Sequence, residues 1–391
     1  MASTKQYVFQ FGRNHALCKA EAEARYSDFA TIGQKCPDFF LGQGEPLTNA
    51  QALLDSLGGT IRIAEVIGSF AFPKLEEALA TELAKRFKEG QKVTFGVSLF
   101  PAKERDSKTL LIGAKKRLKA MGRSARFINR DNRNLDAGTL HKEGIFPPHG
   151  AEFIILAQDD KRFLLALTVA AQDVVAFAER DYGKPVRDMQ VGMLPPKLAL
   201  MLINLTATEK RLPEAIWDPF CGTGTIAVEA VRLGIECISS DISEEMVTAT
   251  KRNLQHFFPG KEVPVFRHDI TARLTTGVQA TTIVSEGYLG PIYKRPVSAD
   301  DLAAARSDVE PVYAAFFAQA AQLPAIDTIV ICMPFWQTSD GESAFCEKAL
   351  AEANGFWKNS LACDGLSSRG SFLFRRDDQC VGREIFVFRR R

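Results

Sequence analysis

The stretch from Ile216 to Ala230 combines an apolar run, a turn with two glycines and an alanine-rich segment. This order predicts a strand, a tight turn and a helix. Gly222 and Gly224 can take positive φ and let a ligand approach the backbone, and the N–H groups that begin a helix near Thr225 bind anionic groups. The stretch therefore predicts a site for a nucleotide-like cofactor.

Acidic residues follow the predicted strands at the same sheet edge. Asp218 ends the first strand, and Asp241 ends the next one about 20 residues after the glycines, where a carboxylate accepts hydrogen bonds from ribose hydroxyls. Asp269 follows a third strand, where it meets an adenine amino group or caps a helix. The glycine spacing also satisfies the dinucleotide fingerprint G-x-G-x-x-A.

The charge of Asp218 discriminates between the two cofactors that such a turn binds, a dinucleotide and S-adenosylmethionine. A carboxylate there repels a pyrophosphate, which disfavours an NAD-dependent dehydrogenase, but it attracts the ammonium and sulfonium groups of S-adenosylmethionine. We therefore expect S-adenosylmethionine as cofactor. The predicted cofactor-binding residues are Asp218, Cys221, Gly222, Thr223, Gly224, Thr225, Asp241, Ile242, Asp269 and Ile270.

A fourth strand, predicted over 281–284, leads to Ser285-Glu286-Gly287-Tyr288 at the same carboxyl edge, where open α/β sheets bind ligands. Methylation of an exocyclic amine needs acceptors for its N–H groups and a flat surface for its base. We predict Ser285, Glu286 and Tyr288 as the catalytic residues, with Tyr288 stacking on an extruded base. A Gly-Tyr loop after a strand is also common in purely structural settings.

The elements around this site alternate from residue 215 onward, which predicts a parallel sheet covered by helices. Runs at 371–375 and 383–388 flank a polar turn and predict a closing antiparallel hairpin. Earlier in the chain, a helix over 113–121 and a strand over 125–128 belong to an α+β pattern.

The segment from Gly113 to Arg133 carries eight basic residues against Asp131 alone. Such a patch suits RNA phosphates, although a run of charge is more often only a solvated face. The predicted RNA-binding residues are Lys115, Lys116, Arg117, Lys119, Arg123, Arg126 and Arg130.

The chain resembles the THUMP-domain tRNA guanosine-N2 methyltransferases of the archaeal and eukaryotic guanosine-10 type, which are class I enzymes that use S-adenosylmethionine. The resemblance rests on Asp218-Pro-Phe-Cys-Gly-Thr-Gly-Thr225, on the motif Arg187–Ala199, and on the opening Tyr7–Asn14. It implies three domains: a ferredoxin-like domain over 1–72, a THUMP RNA-binding domain over 73–180, and a Rossmann-like methyltransferase domain over 181–391. It also implies tRNA as partner.

The acceptor loop departs from this family. Where the family usually has Asp-Pro-Pro-Tyr, the chain has Ser285-Glu286-Gly287-Tyr288. Gly287 is expected to make the loop freer, and Glu286 to supply the missing carboxylate. Two alternatives stay open beside guanine-N2 methylation of tRNA: an RNA-binding protein that keeps its cofactor but has lost transfer, and a DNA amino-methyltransferase.

Composition narrows the class further. The 391 residues have 46% hydrophobic and 25% charged residues with a net charge of +2, which excludes fibrous and disordered chains. No apolar run reaches membrane-spanning length, and the start has no signal-peptide pattern. The eight scattered cysteines predict reduced thiols without a metal site. We expect a cytoplasmic protein, with a monomer possible.

Overall fold

The computed structural model describes residues 4–147, 149–187, 193–274 and 277–391. The chain divides into two compact units, Met1–Phe177 and Ala178–Arg391. Residues 188–192 of the motif Arg187–Ala199 lie outside the described residues. The chain is a mixed α/β protein, as its sequence predicts.

Within residues 4–147 and 149–177, eight strands form one sheet in the order β2-β3-β1-β4-β8-β7-β5-β6. The strands are β1 Lys5–Phe11, β2 Phe29–Thr31, β3 Phe39–Gly44, β4 Thr60–Ala71, β5 Val93–Phe100, β6 Ala125–Phe127, β7 Ala151–Ala157 and β8 Arg162–Ala171. The helices are α1 His15–Arg25, α2 Ala50–Asp55, α3 Leu75–Arg86, α4 Glu104–Ala120, α5 Ala137–Glu143 and the first part of α6 Val174–Tyr182.

The sheet of this unit runs through both domains that the sequence predicts before residue 180. β4 pairs along its length with β8, from Arg62 opposite Ala171 to Ala71 opposite Arg162. The division between residues 72 and 73 stays a prediction.

The basic helix is longer than the sequence predicts. α4 begins at Glu104 instead of Gly113, and its buried face includes Leu110, Leu111, Ala114 and Leu118. The prediction missed the first half because its charged first turn interrupts the apolar pattern, whereas the tertiary contacts of the later leucines stabilise the whole helix.

Within residues 178–187, 193–274 and 277–391, nine strands form the second sheet, in the order β11-β10-β9-β12-β13-β17-β15, with β14 paired to β13 and β16 to β17. The strands are β9 Ala215–Asp218, β10 Glu236–Asp241, β11 Val265–Arg267, β12 Thr282–Glu286, β13 Thr328–Gln337, β14 Ser343–Phe345, β15 Trp357–Asn359, β16 Phe372–Phe374 and β17 Val381–Arg390. The helices are α7 Pro196–Asn204, α8 Thr225–Arg232, α9 Glu244–Phe257, α10 Ala299–Ala321 and α11 Lys348–Phe356.

The predicted parallel sheet and closing hairpin are both present. β9 to β13 pair in parallel, while β16 and β13 both pair antiparallel with β17. β13 runs from Thr328 through Pro334 to Gln337. Proline is tolerated there because β12 ends opposite Cys332, so no ladder bond from its nitrogen is needed on that side.

The order of the strands positions the site. The sequence runs outward from β9 to β10 and β11 and then returns to β12 on the other side of β9. Ligands of open α/β sheets bind at the carboxyl ends of the strands where the order reverses. That point lies between β9 and β12, behind which Trp217, Tyr313 and Phe316 form a buried core.

Candidate cofactor and acceptor site

A cavity of about 260 Å³ lies at the carboxyl ends of β9, β10 and β12. Leu194, Phe220, Ile226 and Met246 form its apolar wall. It is also lined by Glu286 and by predicted cofactor residues, namely Asp218, Cys221, Gly222, Thr223, Thr225 and Asp241. The structure thus brings the centre of the sequence motif together around one cavity.

The two glycines of the turn serve different purposes. Gly224, the N-cap of α8, has φ of 82°, and a Cβ on it would lie 2.8 Å from Thr250 Cγ2. Gly222 has φ of 52°, and a Cβ there would have no neighbour within 4 Å among the described residues. Gly224 is therefore required by close packing on α9, while Gly222 supplies the backbone conformation and leaves the cavity open.

Asp218 is the most deeply buried carboxylate of the cavity, with 1% of its surface exposed. It accepts hydrogen bonds from Ser285 Oγ at 2.6 Å and from the Phe220 N–H at 3.3 Å. Burial raises the pKa of Asp218 to about 7, against the lowering effect of the Ser285 bond. No basic side chain lies within ion-pair distance of it among the described residues. The site therefore lacks a positive charge that a cationic ligand would supply.

Asp241 shapes the turn from the next strand. Its Oδ2 accepts from the Gly222 N–H at 2.9 Å and its Oδ1 from the Ser243 N–H at 3.0 Å. Each carboxylate oxygen can accept a second bond, so both remain able to receive a hydroxyl. Burial raises the pKa of Asp241.

Other predicted cofactor residues do not line the cavity. Ile242 is 58% exposed. Asp269 follows β11 by two residues and accepts from the Thr271 N–H at 2.9 Å and Thr271 Oγ at 2.7 Å, which makes a local turn rather than a helix cap. Ile270 is buried in the core cluster of Trp217.

The acceptor loop is held by two residues that sequence analysis missed. The Glu286 carboxylate lines the cavity and forms an ion pair with the guanidinium of Arg383, whose side chain is 5% exposed on β17. Ser285 is fully buried and donates to Asp218. Of the three predicted catalytic side chains, the structure therefore places only that of Glu286 on the cavity wall.

Tyr313 of α10 is the second missed residue. Its hydroxyl donates to the Cys332 carbonyl at 2.9 Å and approaches the Tyr288 carbonyl at 3.1 Å. A Cβ on residue 287 would lie 2.2 Å from this hydroxyl. Glycine at position 287 is therefore what allows Tyr313 to reach the backbone and hold it in the folded state, while the expected freedom of the loop stays a prediction.

Tyr288 itself is 39% exposed, and its hydroxyl donates to Asp308 Oδ2 at 2.7 Å. Burial, followed by the bond to Asp308, raises the pKa of Tyr288 to about 12. The ring is thus fixed at one end while part of its surface stays accessible.

The basic residues of the first unit lie along a groove of about 690 Å³, which we call the basic groove; it is lined by Ile112, Lys115, Lys116, Lys119, Arg123 and Phe127. Lys115 Nζ stands 5.7 Å from the centre of the Phe127 ring. Arg123 donates to backbone carbonyls at the end of α3, including that of Lys88 at 2.8 Å.

Three predicted RNA-binding residues do not line the groove. Arg117 lies 3.7 Å from Glu76, and Arg126 donates to Thr94 Oγ at 3.2 Å. Arg130 is exposed beside a short turn.

Comparison with known protein families finds a match for one segment of the chain. Residues 185–288 match the UPF0020 family, an RMKL-like methyltransferase domain. The match covers about a quarter of the chain, and over these residues the chain is similar to a methyltransferase domain. Its match confirms the predicted methyltransferase class and agrees with S-adenosylmethionine as the predicted cofactor.

Two curated relatives share part of the sequence. A tRNA (guanine(10)-N2)-dimethyltransferase of Methanothermobacter thermautotrophicus is 42% identical over 97 residues, which are 25% of this chain and 28% of that protein. A protein of the same name from Pyrococcus abyssi is 36% identical over 78 residues, 20% of this chain and 21% of its own length. The chain thus spans less than a third of either relative, so the resemblance named from the sequence is confirmed for this part.

The solved structure of TrmN from Thermus thermophilus covers 100% of this chain and 100% of its own, with a TM-score of 0.51 and 13% identity. At this identity the likeness concerns the fold alone. It agrees with a Rossmann-like methyltransferase fold for the second unit.

Replacing Gly224 by alanine should distort the turn, because residue 224 has a left-handed conformation and its new Cβ would contact Thr250. Gly234→Ala is the matched control, since Gly234 has φ of 80° and a Cβ on it would meet no atom of the described part of the chain within 4 Å. We expect Gly224→Ala to lower the free energy of unfolding by about 1 kcal/mol or more beyond the control, measured by urea titration. Equal losses would contradict the packing role of Gly224.

The raised pKa of Asp218 predicts a dependence of stability on pH. Because the folded pKa of about 7 lies above the ordinary 3.8, the native state keeps a proton that the unfolded chain has released. The free energy of unfolding therefore falls as pH rises from about 4 to about 7. Asp218→Asn should remove this fall, so that the variant gains up to about 4 kcal/mol relative to wild type across that range. Parallel curves for the two proteins would refute it.

Proposed function

We propose that the protein is an S-adenosylmethionine-dependent methyltransferase that acts on the exocyclic N2 of a guanosine in tRNA. The observation that carries this proposal is the cavity at the carboxyl ends of β9, β10 and β12, with a buried unpaired Asp218 and a glycine turn, inside a segment that matches a methyltransferase domain. The names of the curated relatives support the choice of tRNA and of guanine N2.

The residues of the cavity fit the cofactor by charge. Asp218, Asp241 and Glu286 all face it, and three carboxylates disfavour a diphosphate while they favour an ammonium, a sulfonium and ribose hydroxyls. In this proposal Asp241 accepts the ribose hydroxyls and Asp218 lies toward the positively charged part. When bound, the cofactor supplies the methyl group.

The residues of the acceptor loop then position the amine. Glu286 accepts an N–H of the guanine exocyclic amine with its carboxylate, and the pair with Arg383 orients that carboxylate. The partly exposed Tyr288 ring stacks on the extruded base. Ser285 acts through Asp218, which it orients by its hydrogen bond. Holding nucleophile and methyl group together in line contributes several kcal/mol to such a reaction.

We further propose that the first unit contributes the tRNA contacts, with a ferredoxin-like domain over 1–72, a THUMP domain over 73–180 and the methyltransferase domain over 181–391. The basic groove supports this, since no carboxylate pairs with Lys115, Lys116 or Lys119 among the described residues. Arginine or lysine without intramolecular partners is free to neutralise phosphates.

A cytoplasmic location is part of the same proposal. In the described residues, no helix is both long and apolar enough to cross a membrane. Six cysteines are buried as thiols, namely Cys18, Cys36, Cys221, Cys237, Cys332 and Cys346, which suits a reducing compartment.

The reaction is tested by incubating the protein with cofactor and an unmodified tRNA transcript, followed by mass spectrometry of the nucleosides. We expect new N2-methylated guanosine. Glu286→Gln should slow its formation by about 10- to 100-fold because one acceptor of the amine is weakened, whereas Glu244→Gln on the exposed start of α9 should not.

The outcomes of this experiment separate the alternatives. Methylation of duplex DNA in place of tRNA would favour a DNA amino-methyltransferase. Cofactor binding without any methylated nucleoside would favour an RNA-binding protein that has lost methyl transfer. In that case the ion pair with Arg383 would hold the Glu286 carboxylate away from the amine.

Binding through the basic groove is tested by replacing Lys115, Lys116 and Lys119 with alanine. Loss of three phosphate contacts should weaken tRNA binding and reduce the slope of log affinity against log salt by about 2. The matched control replaces Lys142, Lys161 and Lys261, which are exposed elsewhere. Filter binding at several salt concentrations measures both, and equal effects of the two triple variants would contradict a specific role of the groove.

A further inference from the structure

A lysine is buried behind the first turn of α8. Lys184 is 4% exposed, and its Nζ donates a hydrogen bond to Thr225 Oγ at 2.6 Å. Thr225 is the first residue of α8 and lines the cavity. Lys184 and Thr225 are 41 residues apart in the sequence, so this contact within the second unit is not expected from local sequence.

Two acidic residues, Asp181 and Glu229, act on the ammonium of Lys184 from beyond hydrogen-bond distance. Its pKa is lowered to about 8 by burial, so it remains largely charged at neutral pH. The nearby Glu229 carboxylate is already bound by Arg180 at 2.6 Å and by Arg232 at 2.9 Å. Within the described part of the chain, no carboxylate oxygen lies at ion-pair distance from Lys184. The start of a helix adds further positive potential, so this end of the cavity favours an anion.

Thr225 connects Lys184 with the cavity, because it binds the ammonium and lines the cavity wall. Because its oxygen accepts from Lys184, its own hydroxyl proton is directed elsewhere, and no acceptor for it is found among the described residues. Thr225 is 5% exposed. A buried donor without an acceptor costs free energy unless a ligand satisfies it.

The segment that carries Lys184 is anchored to the same loop. Asn253 of α9 accepts from the Val186 N–H and donates to the Val186 carbonyl, both at 2.9 Å. The same amide nitrogen donates to the Thr223 carbonyl at 2.9 Å. Lys184 is therefore held in register with the glycine turn, as a preorganised part of the site.

We propose that Lys184, acting through the Thr225 hydroxyl, recognises the carboxylate of the amino-acid end of the cofactor. This inference rests on the proposed function and deepens it. The cavity is then polarised, with the anion-binding end at Lys184 and Thr225 and the carboxylates of Asp218, Asp241 and Glu286 toward the cationic and hydroxyl-bearing parts. Lys184 is a positioning residue, because it acts through Thr225.

Two probes that share the adenosine and thioether but differ in the amino-acid end test this inference. S-adenosylhomocysteine has the carboxylate, and 5′-methylthioadenosine lacks it. Calorimetry on the full chain should find that Lys184→Met weakens S-adenosylhomocysteine binding by about tenfold or more while 5′-methylthioadenosine changes by less than about twofold. A lysine that only stabilises the fold would affect both probes alike.

Variants of Thr225 keep the test decisive if Lys184→Met does not fold. Thr225→Val should cause the same selective loss, and Thr225→Ser, which retains the hydroxyl, should preserve most of the affinity. The double variant Lys184→Met with Thr225→Val should lose no more than either single variant, because both remove one coupled interaction.

Failure of the role of Lys184 and failure of the proposed cofactor give different results in these experiments. Equal weakening of both probes, or unchanged S-adenosylhomocysteine binding in Lys184→Met and Thr225→Val, overturns the role of Lys184. Wild-type protein that binds neither probe overturns the proposed cofactor, and the inference with it.

Discussion

The burial of Asp218 at the carboxyl end of β9 is the constraint on which the rest of the site depends. A carboxylate that is 1% exposed, with hydrogen bonds from Ser285 and the Phe220 N–H and with its pKa raised to about 7, is destabilising unless a ligand compensates it. The neighbouring elements neither neutralise it nor expose it. They form a cavity around it in which a cation or a set of hydroxyls is the favoured occupant.

The other charges of the cavity are each balanced in a different way. Glu286 is paired with Arg383 from β17, and Asp241 is satisfied by two backbone N–H groups. Within the described residues, the hydrogen-bond partner of Lys184 is the hydroxyl of Thr225. Asp218 and Lys184 thus remain one acidic and one basic group without an ion-pair partner among the described residues, as suits the adjacent ammonium and carboxylate of a zwitterionic ligand.

The acceptor loop gains its order from outside its own sequence. A Ser-Glu-Gly-Tyr stretch contains no proline to stiffen it, but Tyr313 bonds to the backbone around Gly287, and Tyr288 is bound to Asp308. Both partners lie on α10, so the helix substitutes for the stiffness that a proline pair supplies by covalent geometry. The bonds to α10 explain how a glycine is compatible with an ordered loop at this position.

Local sequence was sufficient to predict the alternating strands and helices, the glycine turn and the carboxylates at strand ends. These follow from apolar periodicity, glycine conformation and the rule that parallel strands bring their carboxyl ends to one edge. The start of α4 was missed, because it depends on neighbours that are distant in sequence.

The tertiary structure alone decided which groups compensate one another. Arg383 lies 97 residues from Glu286, and Lys184 lies 41 residues from Thr225. No local pattern marks a lysine or an arginine in a polar stretch as buried. They become buried only when the elements of the second unit pack together and exclude water around them. Their electrostatic interactions at the site are stronger for that reason.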